Sequence, residues 1–270
     1  MTTPSPTTGD NEDRTMQPPM TIAVAGATGR VGRHVVEVLE ARGHDVVPIS
    51  RSHGVDVITA DGLAAALAGV ECVIDAATGP SPEREAATAF FTTSARNLHE
   101  AGEQAGVQRM VVTSIIGTDR FTAGYGAAKV AHEQAMVSGP IPVRVLRAAQ
   151  FHEFVAELVE WGTQGEVSYV PAMRTQLVAA RTVAEALADL ATDPGPTETP
   201  FSEIAGPRAE SLVEMATLLA SRRGLPLKIE GLSNLVADLY GELDDSGALL
   251  PGPDAVLAGP TFEQWLDSAS

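Results

Sequence analysis

Three glycines spaced three residues apart constrain this chain more than any other feature of its sequence. They occur in the stretch Ile22-Ala-Val-Ala-Gly26-Ala-Thr-Gly29-Arg-Val-Gly32. The apolar residues before Gly26 are typical of a buried parallel strand, and an amphipathic helical pattern begins at about Val31. A glycine-rich turn between a strand and a helix is the context in which this spacing indicates a phosphate-binding loop.

Each glycine of this loop has its own predicted role. Gly26 permits a tight turn, Gly29 lets the backbone approach a pyrophosphate, and Gly32 lets the helix pack closely on the strand. The free N–H groups at the amino terminus of the helix then face the anion. An ordinary strand–helix turn is the alternative. The predicted dinucleotide contacts in the loop are Gly26, Ala27, Thr28, Gly29, Arg30, Val31 and Gly32.

Strands and helices alternate along the first part of the chain. Apolar runs predict strands at 21–25, 45–49, 55–58, 71–75, 109–113 and 143–147, and helical patterns lie at 31–42, 63–67, 83–105, 125–137 and 151–161. This alternation predicts an α/β fold, a Rossmann-type doubly wound parallel sheet whose ligand crevice lies beyond the carboxyl ends of the strands. Pro48 fits poorly in a central strand, so the end of the second strand is loosely defined.

The predicted domain organisation has three parts. Residues 1–19 are rich in Pro, Thr and acids and predict a disordered leader. Residues 20–162 form the nucleotide-binding core, and residues 163–270 form the remaining sheet edge and a small C-terminal substrate lobe within one integrated domain. In this last part we expect strands at 176–180 and 201–205, helices at 182–190, 211–222 and 261–267, and a turn-rich connection at 193–200.

Charge and cysteine content exclude several classes of protein. The formal net charge is −17, from 35 Asp and Glu against 18 Lys and Arg, which disfavours binding to nucleic acids and to anionic membranes. The single cysteine excludes an intrachain disulfide and a cysteine-based zinc cluster, which agrees with a cytoplasmic location. We expect no membrane-spanning helix and no metal site, because the sequence has neither a long apolar run nor a metal-binding motif.

The tip of the second strand predicts which nicotinamide coenzyme is bound. An NAD site usually has an acid there for the ribose hydroxyls, but this tip reads Ser50-Arg51. Ser50 and Arg51, with Arg30 or Arg33, could bind a 2′-phosphate, so NADP(H) is favoured and NAD(H) is the alternative. These arginines could also be merely solvated. Asp61 could accept from the adenine amino group or cap the helix that follows it.

Several motifs together resemble the short-chain dehydrogenase/reductase superfamily, and most of all its atypical, NmrA-like NAD(P)-binding branch of bacterial oxidoreductases. The resemblance covers about residues 20–190. The matching features are the glycine loop, Ser50-Arg51, Val73-Ile-Asp-Ala76-Ala77, Asn97-Leu98, Val112-Thr113-Ser114, Tyr125-Gly-Ala-Ala-Lys129 and Arg147-Ala-Ala-Gln150-Phe151. The resemblance implies further coenzyme contacts from Ala76, Ala77, Thr113, Lys129, Ala149 and Gln150.

The pair Tyr125 and Lys129 carries the predicted chemistry. Residues four apart share a helix face, and an ammonium near a phenol lowers its pKa. The resemblance implies that Tyr125 is the acid/base, that Lys129 also binds the nicotinamide ribose, and that Ser114, or Thr113 in its place, holds the substrate oxygen. It also implies that Asn97 supports the lysine through water. Ser114 and Tyr125 lie only 11 positions apart, fewer than is usual in reductases with a well-defined triad.

Three other side chains are weaker candidates. His132 lies one turn beyond Lys129 and could share its helix face. By the resemblance, His152 and Glu153 lie where the family approaches nicotinamide and substrate. The alternative is that they belong to an amphipathic helix stripe.

The leading interpretation is therefore an NADP(H)-dependent oxidoreductase acting on a small carbonyl, quinone or enone. The main alternative is a non-catalytic NAD(P)-sensing regulator of NmrA type that binds a protein partner. A third is an isomerase or epimerase that uses the nucleotide internally. The expected partner is a small-molecule substrate. A homodimer is a further expectation, because helices such as 83–105 and 125–137 often pair subunits in this superfamily.

Overall fold

The structure is a computed structural model that describes residues 18–195, 200–243 and 247–268. Residues 1–17 of the predicted leader, and residues 196–199 of the turn-rich connection, lie outside the described residues. In chain order the strands are β1 (Thr21–Ala25), β2 (Asp45–Ile49), β3 (Cys72–Asp75), β4 (Arg109–Ile115), β5 (Val143–Ala148), β6 (Thr163–Gln164), β7 (Val167–Pro171), β8 (Arg174–Thr175), β9 (Phe201–Ala205), β10 (Glu210–Ser211), β11 (Lys228–Leu232) and β12 (Val256–Leu257).

The α-helices of the described residues surround these strands. In chain order they are α1 (Gly32–Ala41), α2 (Leu63–Ala66), α3 (Arg84–Ala105), α4 (Gly124–Val137), α5 (His152–Trp161), α6 (Ala180–Thr192), α7 (Leu212–Arg222), α8 (Ser233–Tyr240) and α9 (Phe262–Ser268). None of them is both long and apolar enough to cross a lipid bilayer.

The central sheet has seven parallel strands in the order β12-β9-β5-β4-β3-β1-β2. Both faces of β1 are buried, because Ile22 and Val24 pack with α1 and α6 on one face while Ala23 and Ala25 pack with α3 on the other. The predicted doubly wound α/β sheet is confirmed. Pro48 lies on the edge strand β2, where the lost N–H donor is tolerated.

The predicted strand at 55–58 is wrong, because this segment forms a turn. The Asp56 carboxylate accepts a hydrogen bond from the Ile58 amide at 2.7 Å. The side-chain amide of Asn97 donates to the carbonyls of Val57 and Ile58 at 2.8 and 2.9 Å. The segment adds no strand, and β2 is the edge strand of the sheet. Asn97 thus holds this turn through its side-chain nitrogen, and its support of the lysine through water stays a prediction.

A second predicted strand, at 176–180, is also wrong. This segment forms one isolated bridge, between Phe151 and Val178, and α6 already begins at Ala180. The carboxylate of Glu153 accepts from the Ala180 amide at 3.1 and 3.2 Å and so caps α6. The structure gives Glu153 a role in folding, in agreement with the helix-stripe alternative.

The C-terminal elements form a separate apolar cluster beside the sheet. Helices α5, α7 and α9 and the small sheet β11-β7-β6 enclose a core that includes Val155, Val170, Leu219 and Phe262. Helix α8 packs on α4. Strands β9 and β12 belong to the central sheet although they follow residue 163, so the division of the domain at residue 162 stays a prediction.

His152 anchors the last helix of the described chain. Its Nε2 donates to the Pro260 carbonyl at 3.1 Å, and its ring packs against Phe262 and Trp265. The side chain is fully buried, and burial lowers its pKa to about 4. These contacts give His152 a structural position, as the helix-stripe alternative has it.

The buried His152 should make the fold sensitive to acid. A histidine with a lowered pKa stays neutral in the folded chain, whereas the unfolded chain takes up a proton as the pH falls below about 6.5. We expect the free energy of unfolding to fall by roughly 2 kcal/mol between about pH 7.5 and about pH 5 on this account. Urea unfolding of wild type and His152→Phe at both pH values measures this fall in the free energy of unfolding. An equal fall in the two proteins would contradict the prediction.

Candidate functional site

The glycine loop has the tight conformation that its spacing predicts. Gly26 has a φ of +76°, and a Cβ there would lie 2.7 Å from the Cα of Ala77. A Cβ on Gly32 would collide with the carbonyl oxygen of Gly26. The loop therefore packs against the segment after β3 and against the start of α1, and neither contact leaves space for a side chain.

Several amides of the loop are available to an anion. The Gly29 amide donates to the Gly26 carbonyl at 2.8 Å, which closes the turn. The amides of Thr28, Arg30 and Val31 find no acceptor among the described residues, and no side chain caps α1. A pyrophosphate fits this cradle, because it offers oxygens to bare amides at a helix amino terminus.

The tip of β2 lies beside the loop and is polar and basic. The Ile49 carbonyl accepts from the Gly26 amide at 3.0 Å, which joins the two segments. Ser50 Oγ lies 2.7 Å from His53 Nδ1, and the exposed Arg51 has no ion-pair partner within the described residues. His53 was not identified from the sequence, because the 3₁₀ turn of Arg51–His53 is what brings it back to Ser50.

Arg30 is one of the two arginines predicted to assist Ser50 and Arg51 in binding a 2′-phosphate. Its guanidinium is bonded to other residues. Its guanidinium pairs with Glu157 of α5 and lies 5.8 Å from the centre of the Phe154 ring. Burial lowers its pKa from the usual arginine value. Arg33 is exposed on α1. Ser50 and Arg51 lie at the strand tip, and a contact of Arg33 with a 2′-phosphate stays a prediction.

Asp61 does not cap the helix that follows it. Its carboxylate accepts from Thr59 Oγ1 at 2.8 Å, and α2 begins after Gly62 with no side-chain cap. The helix-cap alternative is therefore wrong. A contact between Asp61, which is exposed, and an adenine amino group stays a prediction.

Tyr125 lies in the first turn of α4, at the carboxyl end of the sheet. Its hydroxyl is 3.3 Å from Thr78 Oγ1, and its ring packs edge-on to Phe91 at 5.8 Å between ring centres. Burial raises the pKa of Tyr125, and the hydrogen bond with Thr78 only partly offsets this. The sequence led us to expect a lowered pKa, so the structure differs in the sign of the shift.

The raised pKa of Tyr125 follows from burial, and the Lys129 ammonium bonds to groups other than the phenol. Its Nζ donates to the Thr113 carbonyl at 2.8 Å and contacts His132 Nδ1 at 2.9 Å. The side chain is only 5% exposed, and Nζ lies 4.6 Å from the centre of the Phe91 ring. Burial lowers the pKa of Lys129 to about 8, although the charges of Asp75 and Glu133 act to raise it.

His132 continues this line of polar groups into the core. Its Nε2 lies 3.1 Å from Asp75 Oδ2, and its ring stacks on Phe91 at 4.5 Å. The other carboxylate oxygen of Asp75 accepts from the Ala77 amide at 3.0 Å. The spacing from Lys129 made His132 a candidate in the sequence. Nothing in the residues around His132 or Asp75 indicated that the two side chains are in contact.

Ser114 is bonded into the short segment before α4. It is 3% exposed, and its Oγ lies 3.2 Å from Thr118 Oγ1. Thr113 Oγ1 is buried and has no hydrogen-bond partner among the described residues. Of the two predicted donors to a substrate oxygen, Ser114 already has a partner, whereas the hydroxyl of Thr113 does not.

The C-terminal lobe contributes a second tyrosine that sequence reasoning missed. Tyr240, at the end of α8, is buried and stacks on Phe121 at 4.6 Å. Burial raises its pKa to about 12, the neighbouring Gln150 side chain acts in the opposite direction, and the charge of Tyr125 raises it further. Tyr240 thus lies near both Gln150 and Tyr125. The sequence did not indicate Tyr240 as a site residue, because no motif follows residue 162.

Gln150 is only partly satisfied. Its Oε1 accepts from Thr175 Oγ1, whereas its buried Nε2 has no partner among the described residues. Ala149 is buried, and its amide donates to the Ile204 carbonyl at 2.9 Å. Within the described ranges, no cluster of three or more His, Cys, Asp or Glu side chains could hold a metal ion.

The chain is similar to proteins that bind nicotinamide coenzymes. The model of a protein family described as NAD(P)H-binding matches residues 26–194. No curated protein is similar enough in sequence to serve as a relative.

Solved structures share the fold at low sequence identity. A dTDP-4-dehydrorhamnose reductase from Bacillus anthracis, in complex with NADP, is 16% identical with a TM-score of 0.69, covering 93% of this chain and 98% of that one. An NADPH-dependent quinone oxidoreductase from Escherichia coli, complexed with NADPH, is 20% identical with a TM-score of 0.65, covering 92% and 99%. A short-chain dehydrogenase/reductase superfamily protein from Agrobacterium tumefaciens, with bound NAD, is 17% identical with a TM-score of 0.65, covering 92% and 95%.

Proposed function

Since the chain belongs to the NAD(P)H-binding family, as its resemblance predicted, we propose that it is an NADPH-dependent oxidoreductase that reduces a small carbonyl, quinone or enone. The observation that carries this proposal is the position of the Tyr125 phenol. Its partner Thr78 directly follows Ala77, the residue that packs against Gly26 of the phosphate cradle. A proton donor therefore lies next to the segment that borders the coenzyme loop.

The proposed roles follow from the contacts of each side chain. The coenzyme, when bound, supplies the hydride. Tyr125 gives a proton to the substrate oxygen, because its phenol is protonated at neutral pH, which is the form that a reduction requires. Ser114 or Thr113 donates a hydrogen bond to the same oxygen. Lys129 has two of its three N–H bonds in use and directs the third to the ribose hydroxyls.

NADPH oxidation across a panel of aldehydes, ketones, quinones and enones tests this function. We expect turnover with at least one of these classes and a higher kcat/KM with NADPH than with NADH. Absence of turnover across the panel, with tight binding of the coenzyme, would contradict the proposal. Formation of an isomer without net consumption of NADPH would identify an isomerase or epimerase instead.

Arg51 should set the preference for NADPH. A charge-assisted hydrogen bond to a 2′-phosphate contributes about 1.5–3 kcal/mol, which corresponds to roughly 10- to 150-fold in Kd. We expect Arg51→Ala to weaken NADPH binding by a factor in this range and to leave the Kd of NADH unchanged. Arg96→Ala, an exposed arginine on α3, is the matched control. Equal weakening of both coenzymes would show that Arg51 does not read the 2′-phosphate.

A regulator that binds NAD(P) without turnover is the second candidate function. The observation that favours it is the engagement of the Lys129 ammonium by Thr113 and His132 rather than by the Tyr125 phenol. A regulator would bind NADPH and show no turnover on any substrate, and bound coenzyme would change its affinity for a protein partner.

Pairing of two copies of the chain through α3 and α4 stays a prediction, which light scattering of the purified protein tests.

A further inference from the structure

Asp75, His132 and Lys129 form an unbroken line of hydrogen bonds inside the protein. Their side chains are 1%, 1% and 5% exposed, respectively. Lys129 Nζ is 2.9 Å from His132 Nδ1, and His132 Nε2 is 3.1 Å from Asp75 Oδ2. A lysine has several rotatable bonds, so an ammonium at such depth needs fixed acceptors to be held in one place.

We propose that His132 is a positioning residue, held by Asp75, that fixes the Lys129 ammonium in the orientation used by the coenzyme. This inference rests on the proposed function and assigns a role to two side chains that the Tyr–Lys pair alone does not include. His132 accepts at Nδ1 and donates at Nε2, so it is neutral and has a single tautomer. Its ring is fixed from the side by Phe91, which it stacks against at an interplanar angle of 17°.

The charges around His132 support the neutral ring. Asp75 and Lys129 lie on opposite sides of it, and their charges balance each other across the imidazole. Glu133 is the other charged group that acts on both His132 and Lys129. Its carboxylate makes two hydrogen bonds with Arg147, at 3.0 and 2.8 Å, so its charge is already matched. Burial and the Lys129 charge lower the pKa of His132, although Asp75 acts against them.

The same carboxylate connects the lysine to the coenzyme loop. Asp75 Oδ1 accepts from the Ala77 amide, and Ala77 packs against Gly26. Asp75 therefore fixes two things at once, the segment that borders the phosphate cradle and the ring that holds Lys129. Lys129 Nζ has one N–H bond beyond those directed to Thr113 and His132, and this is the bond that the proposed function gives to the ribose hydroxyls.

Nitrogen-15 NMR of the imidazole rings in the coenzyme-free protein tests the hydrogen-bonding arrangement without any turnover. We expect His132 to be neutral, with its proton on Nε2, and its Nδ1 signal to shift when Lys129 is replaced by methionine. A protonated ring, a proton on Nδ1, or a spectrum that Lys129→Met does not change would overturn the inference. This measurement also distinguishes its failure from a failure of the proposed function, which the substrate panel decides.

Two substitutions at one position then test the positioning role. His132→Leu removes both hydrogen bonds, whereas His132→Asn keeps a short acceptor for Lys129. We expect kcat to fall about 30-fold in His132→Leu and about fivefold in His132→Asn, since one to two charge-assisted hydrogen bonds are lost in the first and partly kept in the second. Burial lowers the pKa of Lys129 to about 8, so we expect its deprotonation to give an alkaline limb of kcat in the wild type and that limb to move to lower pH in His132→Leu.

His99→Leu is the matched control. His99 is buried on α3 and bonds to the Met136 carbonyl of α4 at 2.9 Å, so its loss disturbs the same helix pair outside the site. We expect His99→Leu to lower the Tm and to leave the alkaline limb in place. If His132→Leu and His99→Leu change Tm and kcat in the same way with no movement of the limb, His132 is only structural. If the wild type shows no turnover, the pH dependence of the NADPH Kd replaces the kinetic limb in both variants.

Discussion

Gly32→Ala is expected to weaken NADPH binding at least about 100-fold, a loss of about 2.7 kcal/mol. A methyl group at this position collides with the Gly26 carbonyl, which is backbone and cannot rotate away. The turn must open or α1 must withdraw, and either movement takes the amides of Thr28, Arg30 and Val31 off the positions that fit a pyrophosphate. Titration calorimetry with NADPH measures the loss.

Gly43→Ala provides the control for this experiment. Gly43 lies just beyond α1 with a φ of +83°, and a Cβ there meets nothing within 4 Å. The substitution introduces left-handed backbone strain of about 1–2 kcal/mol without a collision, so it should lower stability and leave the Kd of NADPH unchanged. If Gly32→Ala binds NADPH as tightly as Gly43→Ala does, the loop is an ordinary turn and the coenzyme assignment is lost.

Tyr125→Phe is expected to reduce kcat by about 10²- to 10⁴-fold, the usual contribution of a positioned proton donor. The Kd of NADPH should stay within about twofold of wild type, because the phenol contacts Thr78 and no residue of the glycine loop. Phenylalanine keeps the ring that packs against Phe91, so the fold should be retained. Stopped-flow reduction with saturating NADPH separates the chemical step from product release.

Tyr169→Phe in β7 is the matched control for Tyr125→Phe. It removes a phenol from the C-terminal lobe and should leave kcat unchanged. Equal rates for wild type and Tyr125→Phe would remove Tyr125 from the mechanism. In that case the buried Tyr240, which lies near Tyr125 and Gln150, would be the next donor to test.

Strands that are determined by a few consecutive residues were predictable from the sequence. The predicted strands at 21–25 and 45–49 have the observed limits of β1 and β2, because a short apolar run beside a glycine turn decides both. The segment at 55–58 has the same apolar character but folds as a turn. There the deciding contacts come from Asn97, about 40 positions further along the chain, and no local pattern shows them.

The candidate site was predictable only in part for the same reason. Spacing along one helix places Tyr125 and Lys129 on a shared face, but it does not say which acceptor binds the ammonium. That is decided by Thr113 on β4 and by His132, whose own partner Asp75 lies on β3. Tyr240 comes from a lobe without motifs. Groups that meet through tertiary packing leave no trace in a single sequence.

The two hydrogen bonds of Asp75 have a consequence for engineering. One carboxylate serves both the border of the phosphate cradle and the ring that holds Lys129, so substitutions in the glycine turn would disturb proton transfer as well as coenzyme affinity. Arg51 and His53 at the tip of β2 have no link of this kind among the described contacts. Redesign of the coenzyme preference should therefore begin at that tip, where affinity can be shifted between NADPH and NADH while the proposed acid/base residues are left intact.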